Sequence, residues 1–153
     1  MGILDKLRAA FEEKPHALTL ELEDAAGLAE VLVARMRRHA ATARLRLIEK
    51  GVAEIAEREA AHEKTLRAML ADRGLWPRPP ASTPHDGSNN WERLSIDLAM
   101  LGELSVSLSR MSAKWESVDE GVAQQLMAIS REAYENEVEL RKLALKCDPQ
   151  ALD

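Results

Sequence analysis

The chain has 153 residues and a net charge of −5, and 46 % of its residues are hydrophobic, 31 % charged and 3 % aromatic. This composition predicts one soluble, helix-rich domain. The acidic balance argues against a nucleic-acid binder, which needs a basic surface. Because no window is apolar enough for a transmembrane helix and no signal-peptide pattern opens the chain, we expect a cytoplasmic protein without a membrane partner. The single cysteine, Cys147, excludes an internal disulfide.

The N-terminal segment, residues 2–13, is predicted to be a short amphipathic helix that Pro15 ends. Its apolar residues recur at helical spacing: Ile3, Leu4, Leu7 and Phe11. Because the polar face carries both Asp5 and Lys6, a docking or dimer-contact helix is favoured over a membrane anchor.

The following part of the chain, residues 17–146, is predicted to form four helices. We place them at about 18–39, 43–73, 91–115 and 117–146. The Pro-rich segment 75–90 can reach about 50 Å, which exceeds the length of a bundle helix. Short, long, short connections predict an all-α four-helix bundle of ferritin-like connectivity, forming a single domain over residues 1–153 with 75–90 as the crossover.

The second helix contains polar residues on an otherwise apolar stripe. The stripe consists of Leu45, Ile48, Val52, Ile55, Glu59, His62, Leu66 and Met69. A buried carboxylate needs a compensating partner, such as a metal ion, a polar network or an open cavity. Glu59 and His62 lie on one helix face, so both can serve one site.

The second half of the chain echoes this motif. The segment "REAYENE" repeats "REAAHEK" and places Glu132 and Glu135 in register with Glu59 and His62. The same offset superposes Glu103 on Glu30. One Glu from each of two helices, with a paired motif from each of the other two, is the arrangement of a dinuclear carboxylate site. Oxygen and nitrogen ligands favour iron, two per chain, or manganese.

On these residues the chain resembles the ferritin-like superfamily, and is similar in layout to bacterioferritins and rubrerythrins. "VARMRRHAATARL" resembles the end of the first bacterioferritin helix and its turn, and "HEKTLRAMLADRGLWP" resembles the stretch that follows the metal-binding His. The resemblance implies a di-iron centre that activates O₂ or peroxide, as in ferroxidases and hydroxylases. It also implies a homodimer or a larger homo-oligomer.

Several positions depart from the family pattern. Glu135 stands where the fourth helix often has His, and Ala60 stands where a haem-binding bacterioferritin has Met, so no haem is expected. The chain has no CxxC pair, so the rubredoxin-type iron site of rubrerythrin is absent. In helix one, Glu23 fits the bacterioferritin-like spacing whereas Glu30 fits the internal repeat, and both stay open.

Helix three fits the pattern least well. Glu103 points away from the apolar stripe, Asp97 lies on that stripe, and Leu101 aligns with the family's Glu. Asp97 and Glu103 both stay open as the ligand from helix three. The sequence therefore leaves two functions open: a di-metal oxidoreductase, or a metal-free bundle that acts as a binding or assembly protein with a degenerate site. Four further residues are interpreted structurally: Trp91 and Trp115 as core residues at the ends of helix three, and His39 and His85 as surface residues.

Overall fold

The computed structural model describes residues 2–147, apart from the side chains of residues 8–15. Its helices are α1 (Ile3–Thr42), α2 (Arg46–Ala71), α3 (Asn90–Trp115) and α4 (Glu120–Cys147). No strand occurs between residues 2 and 147. The predicted all-α bundle is confirmed, and the helix boundaries agree with the predicted ones to within a few residues, except at the start of α1.

The N-terminal segment is helical, as predicted, but it is continuous with the first bundle helix. α1 runs through Pro15 without a break. A proline removes one backbone hydrogen bond while its φ suits a helix, so Pro15 does not have to end one. Ile3 and Leu4 are 80 % and 81 % exposed, so these two side chains lie outside the core. The side chain of Phe11, the fourth member of the predicted stripe, lies outside the described residues.

The four helices pack as a square of neighbours. α1 packs against α2 and α3, and α4 packs against α3 and α2, whereas the pairs α1–α4 and α2–α3 lie on the diagonals within the described chain. Residues 43–45 and 116–119 are short turns, and residues 72–89 form the crossover between α2 and α3. This crossover returns the chain to the opposite end of the bundle, so α3 runs parallel to α2. The predicted short, long, short connectivity is confirmed.

The predicted stripes form the core. In α2 every member is buried except Leu45, which precedes the first turn of the helix and is 55 % exposed. Trp115 is buried, as expected, and its ring packs under the guanidinium of Arg73 at 5.2 Å. Trp91 differs from the prediction, because it lies in the first turn of α3 and is 42 % exposed.

The start of the crossover is fixed to α1. The Arg78 backbone N–H donates to the Glu23 carbonyl at 2.9 Å, and the Arg78 guanidinium makes two hydrogen bonds to Asp24, of 2.6 and 2.9 Å. Gly27 allows this close approach, since a Cβ at that position would lie 1.8 Å from the Arg78 carbonyl oxygen. The crossover backbone therefore lies directly on α1.

We predict that Gly27→Ala lowers the free energy of unfolding by about 1–3 kcal/mol, because the added methyl group overpacks a rigid backbone contact. Gly102→Ala is the matched control: its nearest neighbour is the flexible Glu137 side chain at 3.3 Å, so the higher helix propensity of Ala should keep stability equal or raise it. Urea denaturation followed by circular dichroism measures both. A Gly27→Ala variant at least as stable as the parent would contradict the contact.

Candidate metal centre and the buried polar network

A polar cluster joins α2 to α4 in the middle of the bundle. Glu59 is fully buried, and Asn136 Nδ2 donates to Glu59 Oε1 at 2.6 Å. His62 Nδ1 lies 3.2 Å from Glu59 Oε2, and its Nε2 lies 2.7 Å from Glu132 Oε2. The imidazole is thus placed between two carboxylates, one buried and one at the surface, with Glu132 64 % exposed.

The cluster extends outward through Arg58. This guanidinium donates to Asn136 Oδ1 at 3.0 Å and makes two hydrogen bonds to Glu139, of 3.0 and 2.8 Å. The hydrogen bond from Arg58 holds the pKa of Glu139 below its usual range. Asn136 therefore links the buried Glu59 to an ion pair at the surface.

The charge state of His62 follows from its neighbours. Burial lowers the pKa of His62, but the proximity and negative charge of Glu59, followed by those of Glu132, outweigh burial. The pKa of His62 is therefore raised above its ordinary value. An imidazolium between two carboxylates neutralises the buried charge of Glu59 without any added ion.

A second polar cluster joins α1 to α3 and the crossover. Asp97 is fully buried, with Oδ2 at 2.5 Å from His39 Nδ1 and Oδ1 at 3.6 Å from Arg35 Nε. The Arg35 guanidinium, whose side chain is 2 % exposed, donates to the carbonyls of Pro84 and His85 at 2.7 and 2.9 Å. This cluster fastens the end of the crossover to the two helices beneath it.

The interpretation of His39 as a surface residue is wrong. His39 is 4 % exposed because its imidazole turns toward Asp97. The sequence at the end of α1 did not indicate this, because His39 directly follows two basic residues, Arg37 and Arg38, which are exposed. One signal was available in the sequence: Asp97 on the apolar stripe of α3 required a cationic partner.

Both clusters lie at one level of the bundle. Two ion pairs fix the register of α1 against α2: Arg37–Glu57 at 3.1 Å and Arg67–Glu30 at 3.4 Å. In this register Glu59 of α2 lies level with Arg35 and Met36 of α1. Ser105 and Ser130 exchange hydrogen bonds with each other's carbonyls, which fixes α3 against α4. In that register Asn136 is level with the Asp97–Leu101 turn. Each helix thus places a buried polar residue at this level, in two separate pairs.

The internal repeat does not give the pairing that the structure has. The repeat aligns Glu132 with Glu59 in sequence, but the side chain that contacts Glu59 is Asn136, one helical turn after Glu132. Glu132 meets His62 instead. A sequence offset aligns the two halves of the chain but contains no information on the axial position of one helix relative to another. The alignment therefore differs from the observed register of α2 and α4 by one helical turn.

The other predicted ligands lie elsewhere. Glu135 and Glu103 are exposed, on the outer surfaces of α4 and α3. Glu30 is 55 % exposed and pairs with Arg67, about 9 Å along α1 from the level of Glu59. Glu23 is half-buried at the far end of the bundle, where its carbonyl accepts from the crossover. The structure therefore brings together Glu59, His62 and Glu132 but none of these four.

These donors do not fit two metal ions. A dinuclear centre in a bundle needs carboxylates from all four helices, whereas α1 and α3 present the fully buried apolar residues Met36 and Leu101 at this level. Within residues 2–147 as described, no group of three or more His, Cys, Asp or Glu side chains is arranged to hold a metal ion. The amide of Asn136 also removes one of the negative charges that such a centre requires.

Comparison with solved structures identifies the fold. An archaeal Dps homologue from Halobacterium salinarum superposes with a TM-score of 0.73 at 16 % sequence identity, covering 86 % of this chain and 81 % of that one. The fold is ferritin-like. No protein-family model and no curated protein sequence matches the chain. In this ferritin-like bundle, no described helix is long and apolar enough to cross a membrane.

Asp97→Ala is predicted to lower the free energy of unfolding by roughly 3–5 kcal/mol, because it removes the buried carboxylate beside Arg35 and His39. These two side chains are then left with the exposed Asp86, at 3.5 and 3.9 Å. The double variant Arg35→Met/Asp97→Leu removes both charges and should lose less stability than the single variant. Thermal and urea denaturation measure both. A double variant less stable than Asp97→Ala would show that the ion pair is not the source of the loss.

The raised pKa of His62 predicts a pH-dependent role. Protonated His62 contributes its full stabilisation below the ordinary histidine pKa of about 6.5, and this contribution is lost as pH rises through the raised pKa. His62→Gln should therefore lose more stability relative to the parent at about pH 5.5 than at about pH 9. His16→Gln, at an exposed position, is the control. An equal loss at both pH values would contradict the imidazolium.

Proposed function

We propose that this chain is a ferritin-like bundle that works as a binding or assembly protein, in which paired side chains replace a dinuclear metal centre. The observation that carries the proposal is the hydrogen bond of 2.6 Å between Asn136 and the buried Glu59. It places a neutral amide where a second bridging carboxylate would be required.

The balance of charge supports the same conclusion. Two carboxylates are fully buried at this level, Glu59 and Asp97. Asp97 lies beside the guanidinium of Arg35. Glu59 lies beside His62, whose pKa is raised. Each buried carboxyl group thus has a basic partner within the chain, and divalent ions placed at these carboxyl groups would be repelled by the positive charge of those partners.

A di-iron oxidoreductase or ferroxidase, the first alternative from the sequence, is less well supported. It would require Glu23 or Glu30 from α1, and Glu103 or Asp97 from α3, to reach the position of Glu59. The three glutamates lie elsewhere, and the buried Asp97 contacts Arg35 and His39 instead. We therefore assign no oxidation step to this chain. A homodimer or larger homo-oligomer stays a prediction, favoured by large exposed apolar side chains that include Leu47, Trp76 and Tyr134.

The test is metal content after anaerobic loading with Fe²⁺, with Mn²⁺ in parallel. After desalting, we expect well under one ion per chain by elemental mass spectrometry, and the same value for Glu59→Ala/His62→Ala, because the parent lacks the carboxylates for a stable site. About two ions per chain in the parent, lost in the double variant, would overturn the proposal and restore the di-metal hypothesis.

A further inference from the structure

A groove lies between the crossover and α3, apart from both polar clusters. It has a volume of about 620 Å³ and is bounded by residues 21–28 of α1, 78–81 of the crossover and 103–114 of α3. This volume is in the range of small-molecule sites. Its apolar lining comes from Ala25, Leu28, Pro79, Pro80 and Met111.

The groove is preformed by the way the crossover is attached. Gly27 and the contacts of Arg78 hold the crossover against α1, so the gap is left on the α3 side. Pro79 and Pro80 restrict the backbone of the rim. A wall of fixed backbone conformation reduces the entropy cost of ordering the site on binding.

The charges around the groove are of two kinds. Glu21 pairs with Lys114 at 2.7 Å, and Asp24 pairs with Arg78, so these four are satisfied within the chain. Glu103 and Arg110 also line the groove, and the structure gives neither a hydrogen bond nor an ion pair to either side chain within the described residues.

Glu103 and Arg110 have a defined spacing along α3. Seven residues of α-helix separate Glu103 from Arg110, a rise of about 10 Å along α3. Ser107 lies between them on the same face and also lines the groove. The α3 wall therefore presents a carboxylate, a hydroxyl and a guanidinium in a row beside the apolar surface of Leu28 and Met111.

A second hollow of about 400 Å³ continues the groove beyond Glu103. It shares Leu28, Pro80 and Glu103 with the first and adds Met100. Glu103 thus stands at the junction of two hollows, with methionine side chains on both sides that adapt to ligand shape.

We propose that this groove binds a small, elongated zwitterionic molecule with an apolar middle. Its cationic group would meet Glu103, its anionic group would meet Arg110, and the spacer would lie on Leu28 and Met111. The two charges favour a zwitterion, because a ligand with only one charged end would leave either Glu103 or Arg110 without a partner. The apolar surface does not discriminate, since it accommodates the spacer of either kind of ligand. This inference rests on the proposed binding role. Metal uptake and binding in the groove are separate measurements, so a failure of one proposal can be told from a failure of the other.

The test uses 8-aminooctanoic acid as the probe, with octanoic acid and octylamine as single-ended comparisons. Isothermal titration calorimetry and two-dimensional NMR on the full chain report affinity and location. We expect the zwitterion to bind about tenfold more tightly than either comparison, which corresponds to one charge-assisted interaction. Shifted amide resonances should cluster on α3 and on residues 78–81.

Variants separate the groove from general surface binding. Glu103→Gln and Arg110→Gln should each lower the affinity about tenfold, and Ser107→Phe should block all three probes by filling the groove. Arg131→Gln and Glu135→Gln, on the exposed surface of α4, should leave affinity unchanged. Absence of binding, equal affinity for the zwitterion and octylamine, or equal effects of the α3 and α4 variants would each overturn the proposal.

Discussion

The fold depends on how it neutralises two buried carboxylates, Glu59 and Asp97, at one level of the bundle. Neither side chain is exposed to water, and an isolated buried charge costs several kcal/mol. The chain meets this constraint separately on each side. His62 and Asn136 hold Glu59 between α2 and α4, and Arg35 and His39 hold Asp97 between α1 and α3. The two pairs of helices that these clusters join are neighbours in the square.

The same constraint shapes the crossover. Arg35 neutralises Asp97 while its guanidinium donates to the carbonyls of Pro84 and His85. The crossover, which gives the bundle its ferritin-like connectivity, is therefore attached through Arg35 to the buried Asp97 of α3. At the other end, Gly27 and Arg78 fix the crossover by close packing and a backbone hydrogen bond. Between these two attachments the crossover stands away from α3 and leaves the groove open.

Local signals were sufficient for the architecture. Apolar periodicity placed the four helices, and the Pro-rich segment after Gly74 gave the long crossover, because both depend on residues close together in sequence. The prediction that Pro15 ends the N-terminal helix was wrong, because the loss of one backbone hydrogen bond does not end a helix that is otherwise favourable. The polar stripe positions Glu59, His62 and Asp97 were all correctly predicted to face the core.

Partners could not be predicted in the same way. The repeat aligned Glu132 with Glu59 in sequence. The position of α4 along α2 brings Asn136 to Glu59 instead, and no pattern within a single helix encodes that position. His39 was interpreted as a surface residue, although it and Arg35 are the partners of the buried Asp97. Sequence periodicity thus identified which residues are inside, and only the register between helices identified what they contact.

The most direct test is the sign of the stability change in metal-free Glu59→Gln. In a metal site without its metal, the carboxylate ligands repel one another, so the removal of one charge raises the stability of the protein. In a cluster where each carboxylate is paired with a basic side chain, the removal of one charge lowers the stability. Urea denaturation in the presence of a chelator measures this difference. We predict that Glu59→Gln is less stable than the parent by at least about 1 kcal/mol. A variant more stable than the parent would show that the buried cluster is a metal site, contrary to this account.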